Sequence, residues 1–315
     1  MKLIIQIPCF NEEKTLPQVV RDLPQAIPGI DVIEILVVDD GSSDQTVAVA
    51  RSLGVQHVLQ LGRNCGLARA FSLGIQQAVK LGADIIVNTD GDNQYCGADI
   101  ARLVQPILKD QADMVVGCRP IDAHPEFSWL KKLLQKLGSA TLRSLSQTTV
   151  RDAASGFRAI TRSTAQRLFV HSQFSYCMET LIQAGNLRLH VASVDVRVNL
   201  QTRPSRLFRT TPEYVWKSGV TIMAMFVHYR PSRFFGTLAS ICFGLVLILG
   251  LRFLWLVYLF PPAEPHRTYI PSLIFMAILT VVGTGMVSLA VIAELIRSQS
   301  RLMEEVMYQL RIKED

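Results

Sequence analysis

Val37-Val38-Asp39-Asp40-Gly41-Ser42-Ser43-Asp44-Gln45-Thr46 begins as a β-branched apolar run, turns acidic and small, and then opens a helical pattern. The same switch recurs along the first half of the chain. Residues 2–7, 32–39, 57–61, 84–89 and 113–117 read as strands, and 14–26, 43–53, 66–81 and 97–109 as helices. Strand and helix in alternation predict an α/β domain with a mostly parallel sheet covered on both faces. In such sheets ligands sit beyond the carboxyl ends of the strands, so the segments that follow each strand carry the functional reading.

Those segments are polar: Pro8-Cys9-Phe10-Asn11-Glu12, Asp39 to Asp44, Arg63-Asn64-Cys65-Gly66, Asp90-Gly91-Asp92-Asn93-Gln94 and Gly117-Cys118-Arg119. Neither GxGxxG nor GxxxxGK[ST] occurs, which excludes a dinucleotide fingerprint and a P-loop. Asp39-Asp40 leaves two readings open, helix N-capping together with Ser42, Ser43 and Asp44, or ligand contact. Asp90 and Asp92 are a sharper signal. Two carboxylates one residue apart at the end of a buried strand form a hard-oxygen site for Mg²⁺ or Mn²⁺, ions that bridge carboxylates to substrate phosphates.

Composition adds a membrane. The 315 residues are 49% apolar and 18% charged, which excludes disorder. The charge is uneven: residues 234–296 hold only Arg252, Glu264, Arg267 and Glu294. Phe234 to Leu251 and Thr268 to Ala293 are uncharged runs of 18 and 26 residues, against the ~20 that cross a bilayer. Arg252, Trp255, Tyr258 and Tyr269 stand at one interface, and Arg230, Arg233, Arg297 and Arg301 at the other, so the positive-inside rule predicts cytoplasmic termini. The early apolar run Leu3 to Ile7 is too short for a signal peptide and ends at Pro8. Six cysteines without a CxxC pair fit a reducing cytoplasm, and the six histidines are dispersed and read as structural. Between Arg203 and Arg233, six Lys/Arg face a single Glu213, supplying +5 of the net +6. That balance suits nucleic acid, a membrane surface or a phosphorylated ligand. No aromatic–basic RNA signature accompanies it, and it abuts a span, which disfavours nucleic acid.

With these residues in place, IPCFNEE (7–13), VVDDGSSDQT (37–46), LGRNCGLARAF (61–71) and TDGDNQ (89–94) resemble the family 2 glycosyltransferases of GT-A fold. RDAASGFRAITR (151–162), YCMETLIQAG (176–185) and TRPSRLFR (202–209), followed by two spans, are similar to the polyprenyl-phosphate glycosyltransferases, among them dolichyl-phosphate mannose synthases and undecaprenyl-phosphate glucosyltransferases. The resemblance implies a Rossmann-like GT-A catalytic domain over 1–210, an interfacial amphipathic helix over 211–233, two transmembrane helices within 234–296 (about 234–254 and 270–293) and a cytoplasmic tail over 297–315. Phe127 to Leu145 is a second amphipathic candidate, equally readable as core.

The resemblance also implies roles. Pro8, Phe10, Asn11, Glu12, Asp39 and Asp40 hold the donor nucleoside, and Asp90, Asp92 and Gln94 hold the divalent metal and donor diphosphate. Arg119, Asp92 and Asp152 fall at catalytic positions, Glu179 at a further acidic one, and Arg158, Arg203, Ser205 and Arg206 face the acceptor phosphate. Where the family often carries Gly and Lys in its last motif, this chain has Arg203-Pro204-Ser205-Arg206. Gly91 and Asn93 replace the commoner Ala and Leu beside the metal pair.

The implied reaction is inverting transfer of a sugar from a nucleotide sugar to a polyprenyl phosphate at the cytoplasmic face of a bacterial or archaeal membrane. A UDP-hexose or UDP-N-acetylhexosamine is the first expectation for the donor and GDP-mannose the second. Two alternatives differ in their marks. A processive polysaccharide synthase predicts QxxRW, which is absent because none of Trp129, Trp216 and Trp255 follows an arginine. A non-catalytic nucleotide-sugar-binding scaffold predicts that Asp92→Asn is silent. Two-span anchors can associate, so a homo-oligomer is left open.

Overall fold

The computed structural model describes residues 1–120, 150–170, 176–199, 219–220, 223–224, 226–227, 229–259 and 270–314. Two units divide the chain: Met1–Ile222 together with Glu304–Asp315, and Met223–Met303.

In the first unit, β1 (Lys2–Cys9), α1 (Leu16–Asp22), β2 (Val32–Asp39), α2 (Thr46–Ser52), β3 (His57–Gln60), α3 (Leu67–Lys80), β4 (Ile85–Asn88), α4 (Ile100–Leu108) and β5 (Met114–Cys118) follow the expected alternation. Boundaries move for local reasons. The helix expected over 14–26 stops at Asp22, because Leu23 precedes Pro24 and takes an extended conformation, ψ 141°. The helix expected from 97 starts with a 3₁₀ turn, Gly97–Asp99. Two strands went unanticipated: β6 (Arg158–Thr161) and β7 (Val191–Asp195), with α5 (Arg162–Arg167) and α6 (Tyr176–Asn186) between them.

The seven strands form one sheet in the order β3-β2-β1-β4-β6-β5-β7. β1 pairs in parallel with β2 and β4, and β5 with β7, whereas β6 runs antiparallel to both its neighbours. The inversion has a functional effect. Arg158, where β6 begins, lies opposite Asn88 and Val116, so residues 152–158 meet the carboxyl ends of β4 and β5 at one edge of the sheet. Leu3, Ile5, Ile7, Val37, Val87 and Val115 pack with Leu16, Val19, Leu103 and Val104 into a buried core that makes this edge rigid.

In the second unit, α7 (Pro231–Leu254) and a π turn (Trp255–Leu259) precede α8 (Ile270–Glu314). Both helices are long and apolar enough to cross a membrane. They expose Leu247, Ile248, Leu251, Val281 and Leu295, side chains that lipid would cover. Residues 297–315, expected as a separate tail, continue α8 as helix through Glu314. The end of α8 belongs to the first unit. There Arg311 lies 4.1 Å over the Phe169 ring and donates to the carbonyls of Gln166 and Leu168, and Arg167 lies 4.8 Å over Tyr308. The amphipathic stretch at 127–145 and most of the one at 211–233 lie outside the described residues.

Candidate active site

Three loops converge at the carboxyl ends of β1, β2 and β4. The first follows β1. Phe10 is exposed at the strand end, Pro8 is buried within β1, and Asn11 takes a left-handed conformation, φ 56°. Asn11 accepts the Ser43 amide through Oδ1 at 2.8 Å and donates its own amide to Ser42 Oγ at 2.9 Å. Glu12 donates its amide to Thr46 Oγ1 at 2.8 Å. The β1 and β2 loops therefore form one surface.

In the second loop both carboxylates are buried. Asp39 accepts the Ser42 amide at 3.3 Å, and Asp40 accepts the amides of Cys65 and Gly66 at 2.7 and 2.9 Å. Asp40 thereby ties the β3–α3 loop to β2. Gly41 permits this closeness: it has φ 72°, and a Cβ there would lie 2.5 Å from the Arg63 carbonyl carbon.

The third loop is the acidic pair. Gly91 sits so close to β1 that a Cβ would lie 3.0 Å from Cys9 Sγ and 3.2 Å from the Pro8 carbonyl oxygen. Asn93 has φ 61°, a conformation Asn tolerates far better than Leu. Both departures from the commoner residues thus follow from the backbone path. Asp92 accepts the Gln94 amide at 3.1 Å. The Asp90 carboxyl is pushed up to about 7, first by desolvation, then by Asp92 and Glu12, with Arg119 opposing. Burial and the surrounding carboxylates of Glu12, Asp39, Asp44 and Asp90 likewise push the Cys9 thiol up. Negative charge gathered at one rim favours a cation. Asp90 and Asp92 fit a divalent ion as two hard oxygen donors. Among the described residues no cluster of three or more ligand side chains occurs, so a diphosphate and water would complete the shell.

Arg119, just past β5, donates to Asp152 from Nε at 2.7 Å and from Nη2 at 3.1 Å. Asp152 is fully buried and meets this fork with both oxygens, a bidentate pair that fixes the guanidinium. Arg119 in turn acts electrostatically on Asp90.

Arg158, expected at the acceptor phosphate, is turned inward. It is 2% exposed and bonded to the Ser155 and Ala153 carbonyls and to Thr180 Oγ1, at 2.8, 3.0 and 2.6 Å. A guanidinium enclosed in this way braces the turn before β6 against α6. Arg203, Ser205 and Arg206 lie outside the described residues. Glu179 is buried on the first turn of α6.

Sequence reasoning missed the support beneath Asp90. Gln6 donates to Asn88 Oδ1 at 2.8 Å, and Asn88 donates to the Gly156 carbonyl at 2.8 Å and to Tyr176 Oη at 3.1 Å. A Cβ at Gly156 would lie 2.5 Å from Tyr176 Oη and 3.2 Å from Asp90 Oδ1, so only glycine admits the carboxylate here. Tyr95 stacks on Phe157, centroids 4.9 Å apart, and accepts the Gly156 amide at 3.2 Å. Polar residues inside otherwise apolar strands, Gln6 and Asn88, were the available signal.

Residues 4–169 match the family described as Glycosyl transferase family 2. A UDP-N-acetylglucosamine–dolichyl-phosphate N-acetylglucosaminyltransferase of Methanococcus voltae is 30% identical over 214 residues, covering 61% of this chain and 83% of the relative. A polyprenol monophosphomannose synthase of Mycolicibacterium smegmatis is 28% identical over 187 residues, covering 56% and 69%. The crystal structure of glucosyl-3-phosphoglycerate synthase from Mycobacterium tuberculosis with Mn²⁺, UDP-glucose and phosphoglyceric acid superposes with a TM-score of 0.55 at 19% identity, covering 72% of this chain and 78% of that one. That last likeness is one of fold.

Proposed function

The chain belongs to glycosyl transferase family 2, and from that premise we propose that it moves a sugar from a nucleotide sugar, a UDP-sugar first and GDP-mannose second, to a polyprenyl phosphate. The observation that carries this reading is the Asp90–Asp92 pair beside the Arg119–Asp152 clamp, at the strand ends of a chain that also has two membrane-length helices. The relatives named for dolichyl and polyprenol acceptors support it.

Asp90 and Asp92, with Gln94 at the end of their loop, would hold Mg²⁺ or Mn²⁺. When bound, the ion supplies electrostatic stabilisation of the departing diphosphate. Arg119, fixed by Asp152, is assigned to the same developing charge, with no reorganisation at the moment of reaction. Asn11, Glu12 and Asp39 line the surface assigned to the nucleoside. The acceptor is a phosphate monoester whose second pKa is about 6, so it is ionised at neutral pH and needs no general base. One of its oxygens attacks the anomeric carbon as the bond to the diphosphate breaks. The nucleoside diphosphate leaves with the electron pair, and the carbon is inverted. Arg203, Ser205 and Arg206 are assigned to the acceptor phosphate by their arginine-rich sequence just ahead of the spans. Arg230, Arg233, Arg297 and Arg301 favour the cytoplasmic face.

The test is transfer by purified full-length protein with Mn²⁺, a polyprenyl phosphate in detergent and a panel of UDP- and GDP-sugars, with the lipid product identified by mass. A polyprenyl-phosphate sugar formed from one donor is the expected result. No lipid product from any donor, with the lipid shown to be accessible, overturns the reading.

A further inference from the structure

Asn199 lies beyond β7, in sequence four positions before Arg203, and touches the acidic loop at Asn93, Gln94 and Tyr95. Its amide donates to the Gln94 carbonyl at 2.9 Å. Its side-chain Nδ2 faces three acceptors, the Asn93 carbonyl at 3.1 Å, Asn93 Oδ1 at 3.3 Å and the Tyr95 carbonyl at 3.3 Å. Tyr95 and Val198 add an isolated antiparallel bridge. On the other flank, Thr15 Oγ1 donates to the Gly91 carbonyl at 2.8 Å. The loop carrying Asp90 and Asp92 is thus held at both ends, and the Asn199 end secures the left-handed turn at Asn93 that follows Asp92.

We propose that Asn199 is a positioning residue for the divalent cation: it fixes the turn at Asn93 and so holds Asp92 at the spacing from Asp90 that a shared ion requires. Left-handed backbone at a non-glycine residue is costly and persists only where its surroundings enforce it. Three acceptors on one side-chain amide supply that enforcement. Asp cannot replace Asn here, because a carboxylate has no N–H to offer and would face three oxygens.

This inference rests on the cation role assigned to Asp90 and Asp92 and not on the identity of the acceptor, so its test reads the metal directly. Free Mn²⁺ is followed by electron paramagnetic resonance as full-length protein is titrated in the presence of UDP, for wild type, Asn199→Ala, Asn199→Asp and Arg197→Ala. Arg197 serves as the control. It sits two residues away and pairs with Asp99 at 2.9 Å, outside the acidic loop, so its loss lowers stability without touching that turn. Asn199→Ala is expected to weaken Mn²⁺ binding about tenfold and Asn199→Asp by more, with Arg197→Ala at the wild-type value. Wild-type Mn²⁺ affinity in both folded Asn199 variants overturns the proposal, as does equal weakening by Arg197→Ala. A wild type that binds Mn²⁺ but transfers no sugar to lipid overturns the acceptor assignment alone.

Discussion

Two acidic strand ends flank β1 in this fold, and their carboxylates meet different fates. After β2, Asp40 accepts the amides of Cys65 and Gly66, and Asp39 that of Ser42. After β4, Asp92 takes the Gln94 amide, while desolvation, Asp92 and Glu12 drive the Asp90 carboxyl toward neutrality. The first pair finds internal donors that build a loop. The second is the pair proposed to receive a cation. Backbone N–H groups meet the carboxylates after β2, whereas desolvation first and like-charged neighbours second raise Asp90, which suits it to a cation.

The comparison breaks most sharply at Asp92. Asp92→Asn is expected to cut transfer by about a thousandfold or more while circular dichroism and Tm stay near wild type, since removing a metal-facing charge costs catalysis of that order. Retained turnover would return the β4 end to the structural class and revive the scaffold reading.

Protons sharpen the difference next. With Asp90 titrating near 7, a proton competes with the ion, so Mn²⁺ affinity should fall about tenfold per unit below that pH and level off above it. Stability of the metal-free protein should run the other way. Asp90's folded value lies above the ordinary 3.8, so its contribution is complete below about pH 4 and is lost as the pH rises through about 7. Thermal melts of metal-free protein should therefore show that slope, and Asp90→Asn should flatten it. A Tm that rises over the same window in wild type alone would contradict the assignment.

The β2 end should respond in stability before catalysis. Asp40→Ala strands two loop amides and is expected to cost about 1–3 kcal/mol in denaturant unfolding. Its effect on transfer should stay within about tenfold and fall mainly on the donor KM. A thousandfold loss of kcat with unchanged stability would erase the contrast. The smallest effect is expected for Gly91→Ala, whose new methyl meets Cys9 Sγ at 3.0 Å and needs only a slight shift. Transfer should fall about threefold, against clear destabilisation by Gly41→Ala, where backbone at 2.5 Å and a positive φ leave no room.

Much of this was legible in the sequence for a local reason. β1 to β5 and α1 to α4 are announced by periodicity, and the acidic loops by residues adjacent in the chain, such as Asp90-Gly91-Asp92. β6 escaped notice because it is four residues long and starts with Arg158, a charge that reads as functional until its partners Ala153, Ser155 and Thr180 enclose it. Asn199 gave no signal at all, since its partners are Asn93 to Tyr95, more than a hundred positions away.

The sequence by itself determined the alternation of strands and helices, the two membrane-length apolar runs, the acidic pair and the family motifs. These are encoded in neighbouring residues, through side-chain period, hydropathy and spacing. Only the tertiary structure decided which charges are spent on the protein itself. It inserted β6 antiparallel between β4 and β5, turned Arg158 inward, closed Asp152 on Arg119 and left Asp90 desolvated beside Asp92. Whether a charged group binds substrate or braces the fold depends on what the chain brings opposite it, and that is a matter of long-range contact.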